Sequence, residues 1–496
     1  MSAFELLAAP RWQTGDLGAP LPDSPHAISV AMPRWADVVG YEEKRPQTMA
    51  NLRSGYPRFL VHPRVRAVAE ALAPGRPCLP FPSPRAAEWA AGFVRAQSGT
   101  PVELIRRGAV TGVVTDAAGE PALKAFWQHT GLILSTRQAE AWLAGRGEPA
   151  EAPEIRAALR RQLAALYDCT PEDVFLYPTG MAAQYAALRA AQARRPSRPT
   201  AQLGFPYVDT FKLQQKCGAG AVLLHRLDRL TDDLEALLAR GPLAACFCEI
   251  PGNPLLGSAD LRRVTPLLRA HGVPLVADDA AATPVNVDLG AHADLIATSL
   301  SKFFVGTADA MGGAVICPPR SPWHEELRAR LAAEHEELLG GEDAAVLAAR
   351  LRDFPERMAR HNRGGRLIAE QLRAHPAVER VWYPRWEFSE SYEAVRRPGG
   401  GWGALITFQP RHAASAAPRI YDRLEVCKGP SFGTVFTLAC PFTLLAHYTE
   451  LDWAEACGVS RYLIRISVGL EDPEELWARL ERALAAAGPP EEPAAP

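Results

Sequence analysis

The stretch Ala293-Asp294-Leu295-Ile296-Ala297-Thr298-Ser299-Leu300-Ser301-Lys302 carries an apolar run into hydroxyl residues and a lysine. A loop of small residues follows, Val305-Gly306-Thr307-Ala308-Asp309-Ala310-Met311-Gly312-Gly313. The apolar run reads as a short buried strand. A strand that delivers one lysine into a small-residue loop can present an amine to a carbonyl compound. The 496-residue chain has only six lysines, Lys44, Lys124, Lys212, Lys216, Lys302 and Lys428, which narrows the search for a reactive amine.

Around this stretch, from about residue 151, helices alternate with short apolar runs. Strands are expected at 174–177, 201–205, 221–224, 244–250, 273–277, 295–299 and 313–317. Helical stretches at 154–167, 182–193, 232–239 and 259–270 lie before or between them. Short apolar strands alternating with helices predict an α/β domain with a mainly parallel seven-stranded sheet covered on both faces. Ligands of such sheets sit at the carboxyl ends of the strands, where most of the interesting polar residues fall.

A Schiff-base cofactor needs an amine, an acid for its ring nitrogen, a phosphate cup and a face to stack on, and each has a candidate. Lys302 is the amine, read as forming the Schiff base with pyridoxal 5'-phosphate; Ser299 and Ser301 beside it can donate to a phosphate. Asp278 ends the run Val273–Ala277, where a carboxylate can pair with a protonated pyridine nitrogen. A helix cap is the blander reading, and Asp279 next to it leaves the choice open. Thr179-Gly180-Met181 lies at a strand-to-helix turn, where free N–H groups favour an anion. Tyr207 is the candidate stacking ring, or plain packing. Arg465, inside the apolar run 462–468, needs an anionic partner. A substrate α-carboxylate and a buried salt bridge both satisfy that need.

The flanks are less explicit. Residues 1–75 are proline-rich and read as an arm that packs on something else. Residues 76–150 read as a small α/β insertion with no chemistry of its own: helices at 85–98 and 120–129, and β-like runs at 102–105, 110–114 and 132–134. The large domain is expected over 151–345. Over 346–487 a C-terminal substrate-binding α/β domain is expected, with strands at 378–383, 404–408, 424–426 and 463–468. A disordered tail is expected at 488–496. A net charge of −2 makes no case for nucleic acid or an anionic membrane surface. The nine cysteines show no metal spacing, so no metal is expected, and they read as buried thiols of an intracellular protein. With no leader-like segment and no long apolar run, a cytoplasmic location is the default expectation.

Several segments, in this order, resemble the Cys/Met-metabolism family of pyridoxal-phosphate enzymes, over roughly 155–485 and 55–59. They are Thr179–Ala183, Glu249–Leu255, Val276–Asp279 running to Thr283-Pro284, Ser299–Lys302, Arg357–Asn362 and Leu463–Asp472. The resemblance implies fold type I of the pyridoxal-phosphate enzymes, with a smaller C-terminal domain and an N-terminal extension. It makes Asp278 the ring-nitrogen partner, and Gly180, Met181, Ser299 and Ser301 phosphate ligands. Tyr207 becomes the stacking tyrosine, Asn253 a cofactor and substrate neighbour, and Arg465 the carboxylate anchor. Tyr56 and Arg58 match a Tyr-x-Arg pair that reaches the phosphate of a neighbouring subunit, which implies a homodimer or homotetramer with shared active sites. Further segments, Pro25–Val30, Val39–Glu43, Phe436–Pro441 and Leu445–Tyr448, resemble the fungal-type cystathionine γ-synthases. That likeness implies replacement at the γ carbon of an O-acyl-L-homoserine by cysteine, with Ser431 and Thr437 near the substrate. The chain departs from common members at Val305–Asp309, at Phe436-Thr437 and at Asp279, positions that bear on the acyl donor and the thiol.

Overall fold

The structure, a computed structural model, describes residues 1–485; the tail expected at 488–496 lies outside the described residues. Its centre is a seven-stranded sheet of β4 (Val174–Tyr177), β5 (Thr200–Leu203), β6 (Ala221–Leu224), β7 (Cys246–Glu249), β8 (Leu275–Asp278), β9 (Leu295–Ser299) and β10 (Gly313–Ile316), in the order β4-β10-β9-β8-β7-β5-β6. Only β10 runs against its neighbours, so the sheet is mainly parallel, as the alternation of strands and helices predicts. Every one of the seven strands was legible as a short, largely apolar run; six are largely buried on both faces, and β6, at the sheet edge, is half-buried.

A second sheet, farther along the chain, has the order β11-β12-β15-β14-β13, from β11 (Val378–Trp382), β12 (Leu405–Pro410), β13 (Cys427–Lys428), β14 (Leu438–Cys440) and β15 (Ile464–Ser467). Here the reading needs correction. The run 424–426 is not a strand, and the partners of β15 include the three-residue β14, too short to carry a period.

Residues 76–150 form a three-stranded sheet of β1 (Cys78–Phe81), β2 (Glu103–Arg107) and β3 (Val110–Val114), in the order β1-β3-β2. Pro80 is an edge-strand residue, where a missing N–H is tolerated. Leu132-Ile133-Leu134 is buried but forms no strand. The segment has no core of its own. Phe81, Phe126, Trp127 and Leu132 belong to one apolar cluster with Tyr185 and Leu188 of the helix Gly180–Gln192, and with Leu6 and Ile28 of the arm. Residues 76–150 thus lie over the face of the large sheet that carries that helix, while residues 30–41 of the arm pack against the C-terminal domain. No described helix is long and apolar enough to cross a membrane.

Candidate active site

The carboxyl ends of five strands converge on one cleft. Thr179 and Gly180 follow β4, Tyr207 follows β5, Asn253 follows β7, Asp278 ends β8, and Lys302 follows β9; all of them line it. Arg465, the second residue of β15, closes the cleft from the C-terminal sheet.

Lys302 is 7 % exposed, and its Nζ donates to Ser431 Oγ at 2.8 Å and to Tyr56 OH at 3.2 Å. Burial pushes its pKa below the ordinary lysine value, so part of its reluctance to give up a proton is gone. For Tyr56, burial opposes ionisation, but the charges of Lys302 and Arg58 outweigh it and bring the phenol to about 8. Ser431 holds a left-handed backbone, φ 88°, a conformation that costs a non-glycine residue about 1–3 kcal/mol. In that conformation its hydroxyl meets Lys302 while its carbonyl accepts from Arg465 at 2.7 Å.

The aspartate ambiguity resolves through the alternation of the strand. Asp278 faces the cleft, where its carboxylate accepts from Ala280 N at 2.7 Å and from Gln184 Nε2 at 2.9 Å. Asp279 points away and accepts from Tyr167 OH at 3.1 Å. Burial pushes Asp278 up to about 7. Among the described residues no cation pairs with it, which suits a protonated ring nitrogen.

The phosphate-cup candidates also stand together. Thr179 caps the helix Gly180–Gln192, its hydroxyl accepting from Ala182 N at 3.0 Å. A Cβ on Gly180 would sit 2.6 Å from Ser299 Cβ, so only glycine lets the helix start approach the strand end. Gly180, Met181, Ser299 and Ser301 line the cleft beside Lys302; Ser301 also exchanges hydrogen bonds with the Gly312 backbone. Anion-favouring N–H groups, hydroxyls, a buried amine and an unpaired buried acid are the donor set that pyridoxal phosphate requires, and the residues fit it.

Arg465 is 5 % exposed and makes no ion pair among the described residues. Its guanidinium donates to Asn253 Oδ1 at 3.0 Å and to Ser431 O at 2.7 Å, and lies over the Phe442 and Phe432 rings. The salt-bridge reading of the sequence therefore falls away. A buried guanidinium held only by neutral acceptors and rings is ready for an incoming carboxylate.

Tyr56 and Arg58 line the cleft within this single chain. Arg58 pairs with buried Asp209, donates to Tyr207 OH at 2.6 Å and to Gln128 O at 2.7 Å. Ahead of this segment the arm is fastened to its own chain, Ile28 N donating to Ala308 O at 2.8 Å and Met32 N to Lys428 O at 2.8 Å, and it is held to itself where Ser54 Oγ donates to Ala27 O at 2.7 Å. With those contacts made, residues 55–59 have their own cleft within reach.

Thr437 is a correction. Its hydroxyl donates to Glu471 at 2.8 Å and accepts from Gly469 N at 2.9 Å; neither it nor the buried Phe436 lines the cleft. The unusual loop at 305–308 is likewise turned to structural use, its Ala308 carbonyl pairing with the arm. Sequence reasoning missed two residues. Gln184 holds Asp278. Glu249, pushed up to about 8 by burial and then by the charge of Asp278, accepts from the backbones of Tyr207 at 2.6 Å and Asn253 at 3.2 Å. A polar residue on an apolar helix face and a carboxylate ending an apolar strand were the signals available.

A cleft of this kind at the strand ends of a mainly parallel sheet defines a fold type I pyridoxal-phosphate enzyme. Residues 151–485 match the model of the family described as Cys/Met metabolism PLP-dependent enzyme, and the chain belongs to that family. It is 30 % identical to the cystathionine gamma-synthase of Neurospora crassa, over 95 % of this chain and 98 % of that protein. It is 36 % identical to the L-2-amino-4-chloropent-4-enoate dechlorinase/desaturase of Streptantibioticus cattleyicolor, over 92 % of this chain and 95 % of that one. A solved cystathionine gamma synthase from Xanthomonas oryzae pv. oryzae, in complex with cystathionine, superposes with a TM-score of 0.60 at 26 % identity, covering 67 % of this chain and 86 % of that one.

Proposed function

We propose that this enzyme acts at the γ carbon of an L-amino acid that carries a leaving group there, and that cysteine replaces the acyloxy group of an O-acyl-L-homoserine to give L-cystathionine. The observation that carries the reading is the pairing of unneutralised Arg465 with Lys302 through the single residue Ser431. Arg465 binds the α-carboxylate bidentately, and Asn253 orients the guanidinium. That anchoring sets the substrate's α and β carbons near Nζ of Lys302. Pyridoxal phosphate, when bound, supplies an electron sink for charge released at the α carbon. Asp278 holds the negative charge that keeps the ring nitrogen protonated. Lys302, with its lowered pKa, carries protons at the α and β carbons. Tyr56 and Arg58, with Gly180, Met181, Ser299 and Ser301, hold the phosphate, and Tyr207 covers the ring. Phe432, Phe442 and Leu445 keep water from the reacting atoms. The family resemblance implies a homodimer or homotetramer.

A second reading has one observation in its favour. The relative at 36 % identity is named for removing chlorine from a 2-amino-4-chloro acid, whose leaving group also sits on the γ carbon. The same anchor and base serve loss of that group with no thiol added. Product analysis separates the two. O-acetyl-, O-succinyl- and O-phospho-L-homoserine, each with and without cysteine, are compared with L-2-amino-4-chloropent-4-enoate. Cystathionine formed only with cysteine supports replacement. Chloride release without cysteine, and no turnover of any ester, supports the second reading and removes the first.

A further inference from the structure

Asp278 stands in company that favours its neutral form. Asp279 adjoins it in sequence, and Glu249 is its register partner on the parallel strand β7. Burial and then the charge of Asp279 push its pKa up, and the charge of Lys302 opposes them. A partner for a protonated ring nitrogen must nevertheless carry a negative charge. Two donors support that charge. Ala280 N donates to Oδ1 at 2.7 Å, and Gln184 Nε2 donates to Oδ2 at 2.9 Å. Among the described residues Gln184 is the only side chain that donates to Asp278.

Gln184 is itself held in place. It is 3 % exposed, and its Nε2 also donates to Ala297 O of β9 at 3.1 Å. Both partners of the nitrogen are acceptors, so the amide cannot be turned round: its oxygen would then face a carboxylate and a carbonyl. Oε1 is buried with no donor among the described residues, so nothing on that side competes for the orientation. Gln184 is the fifth residue of the helix Gly180–Gln192, about 6 Å along the axis from Gly180 in the phosphate cup. One rigid helix thus carries the anion site at its first turn and the support of the acid one turn later.

We propose that Gln184 is a positioning residue that keeps Asp278 ionised and aimed at the cofactor's ring nitrogen, so that the helix Gly180–Gln192 grips the cofactor at both ends. The proposal rests on the reading of Asp278 as the ring-nitrogen partner. Gln184 acts only through that carboxylate, so its loss matters only while a protonated ring nitrogen is there to pair with it.

The test titrates cofactor-free, full-length chains by equilibrium dialysis with two compounds. One is pyridoxal phosphate. The other is its 1-deaza analogue, which has C–H in place of the ring nitrogen and keeps the aldehyde and the phosphate. The wild type is expected to prefer pyridoxal phosphate. Gln184→Met, an unbranched side chain of similar length with no donor, is expected to weaken pyridoxal phosphate by about tenfold and the deaza analogue by less than about twofold. Gln184→Asn, whose amide is one methylene short of the carboxylate, gives the same split and serves if the Met chain does not fold. In an Asp278→Asn background, Gln184→Met changes neither affinity by more than about twofold, the signature of coupled residues. Equal losses for the two compounds, with the wild-type preference intact, overturn the proposal, because a residue that only packs the helix affects both alike. No loss in either variant overturns it as well. A wild type that binds both compounds equally overturns it together with the reading of Asp278, and a wild type that binds neither removes the cofactor assignment and the proposal with it.

Discussion

Among the described residues two lysines are buried, and the regions around them differ in what they leave unfinished. Lys302 stands at the rim of a cleft with two hydroxyls as partners, Ser431 and Tyr56, which can part from it at little cost. Lys428 is fully buried between the arm and the C-terminal domain, and its Nζ donates to three carbonyls: Pro33 at 2.8 Å, Tyr421 at 2.6 Å and Asp422 at 3.0 Å. Burial pushes both pKa values down, that of Lys428 to about 7, against three acceptors that want the three N–H groups of an ammonium. A lowered pKa is therefore common to both. The difference is that Lys428 has a complete set of fixed acceptors and no space, while Lys302 has replaceable partners and an open face. The first arrangement binds the arm to the domain; the second can do chemistry.

The sharpest way to break the comparison is to remove each amine in turn. Lys302→Ala should lower turnover by about 10³-fold or more and abolish the visible absorbance of lysine-bound cofactor, while thermal unfolding stays close to wild type. Lys428→Met should do the reverse. It leaves three buried carbonyls without a donor and should cost on the order of 3 kcal/mol in denaturant unfolding, with cofactor absorbance retained. A Lys428→Met protein of wild-type stability would show that its three hydrogen bonds are not what fastens the arm.

Arg465→Ala should act between these two. Loss of a charge-assisted carboxylate contact, about 1.5–3 kcal/mol, predicts a KM raised by roughly 10- to 100-fold with cofactor still bound. An unchanged KM for every amino acid turned over would remove the anchor.

The smallest expected effect is a slope against pH. Asp278 titrates near 7 in the folded protein and near 3.8 in the unfolded chain. Between those values the folded protein without cofactor holds a proton that the unfolded chain has released. Its stability therefore falls as pH rises from about 4 to about 7, and Glu249 contributes with the same sign. Asp278→Asn should flatten that fall and raise the Tm of the cofactor-free protein at pH 8 by about 2–4 °C relative to wild type. An Asn variant with the same slope as the wild type would mean that the carboxyl is not titrating where its burial puts it.

How much of this was visible in the sequence differs along the chain for physical reasons. The strands of the main sheet were legible because burial on both faces favours short apolar runs, which even the half-buried edge strand β6 keeps, and the residues following those runs became the site. Arg465 stood out as a charge in an apolar strand. β1 was hidden by Pro80, whose edge position makes it harmless, and β14 by its three residues. Thr437 sits where a motif suggested a substrate contact, but Glu471, distant in sequence, takes its hydroxyl. The support of Arg58 was invisible for another reason: a backbone carbonyl, that of Gln128, carries half of it, and carbonyls leave no trace in a sequence. The sequence could name Tyr56 and Arg58 but could not say which chain's cleft they enter, since that depends on where the arm is fastened.

The central claim is that Lys302, rather than any other of the six lysines, carries the cofactor. Borohydride reduction of the purified holoenzyme, followed by digestion and mass mapping, tests it directly. The account predicts one pyridoxyl group per chain, on the peptide containing Lys302. A modification confined to Lys428 or Lys212, or a wild-type protein that takes up no pyridoxal phosphate before reduction, would contradict it.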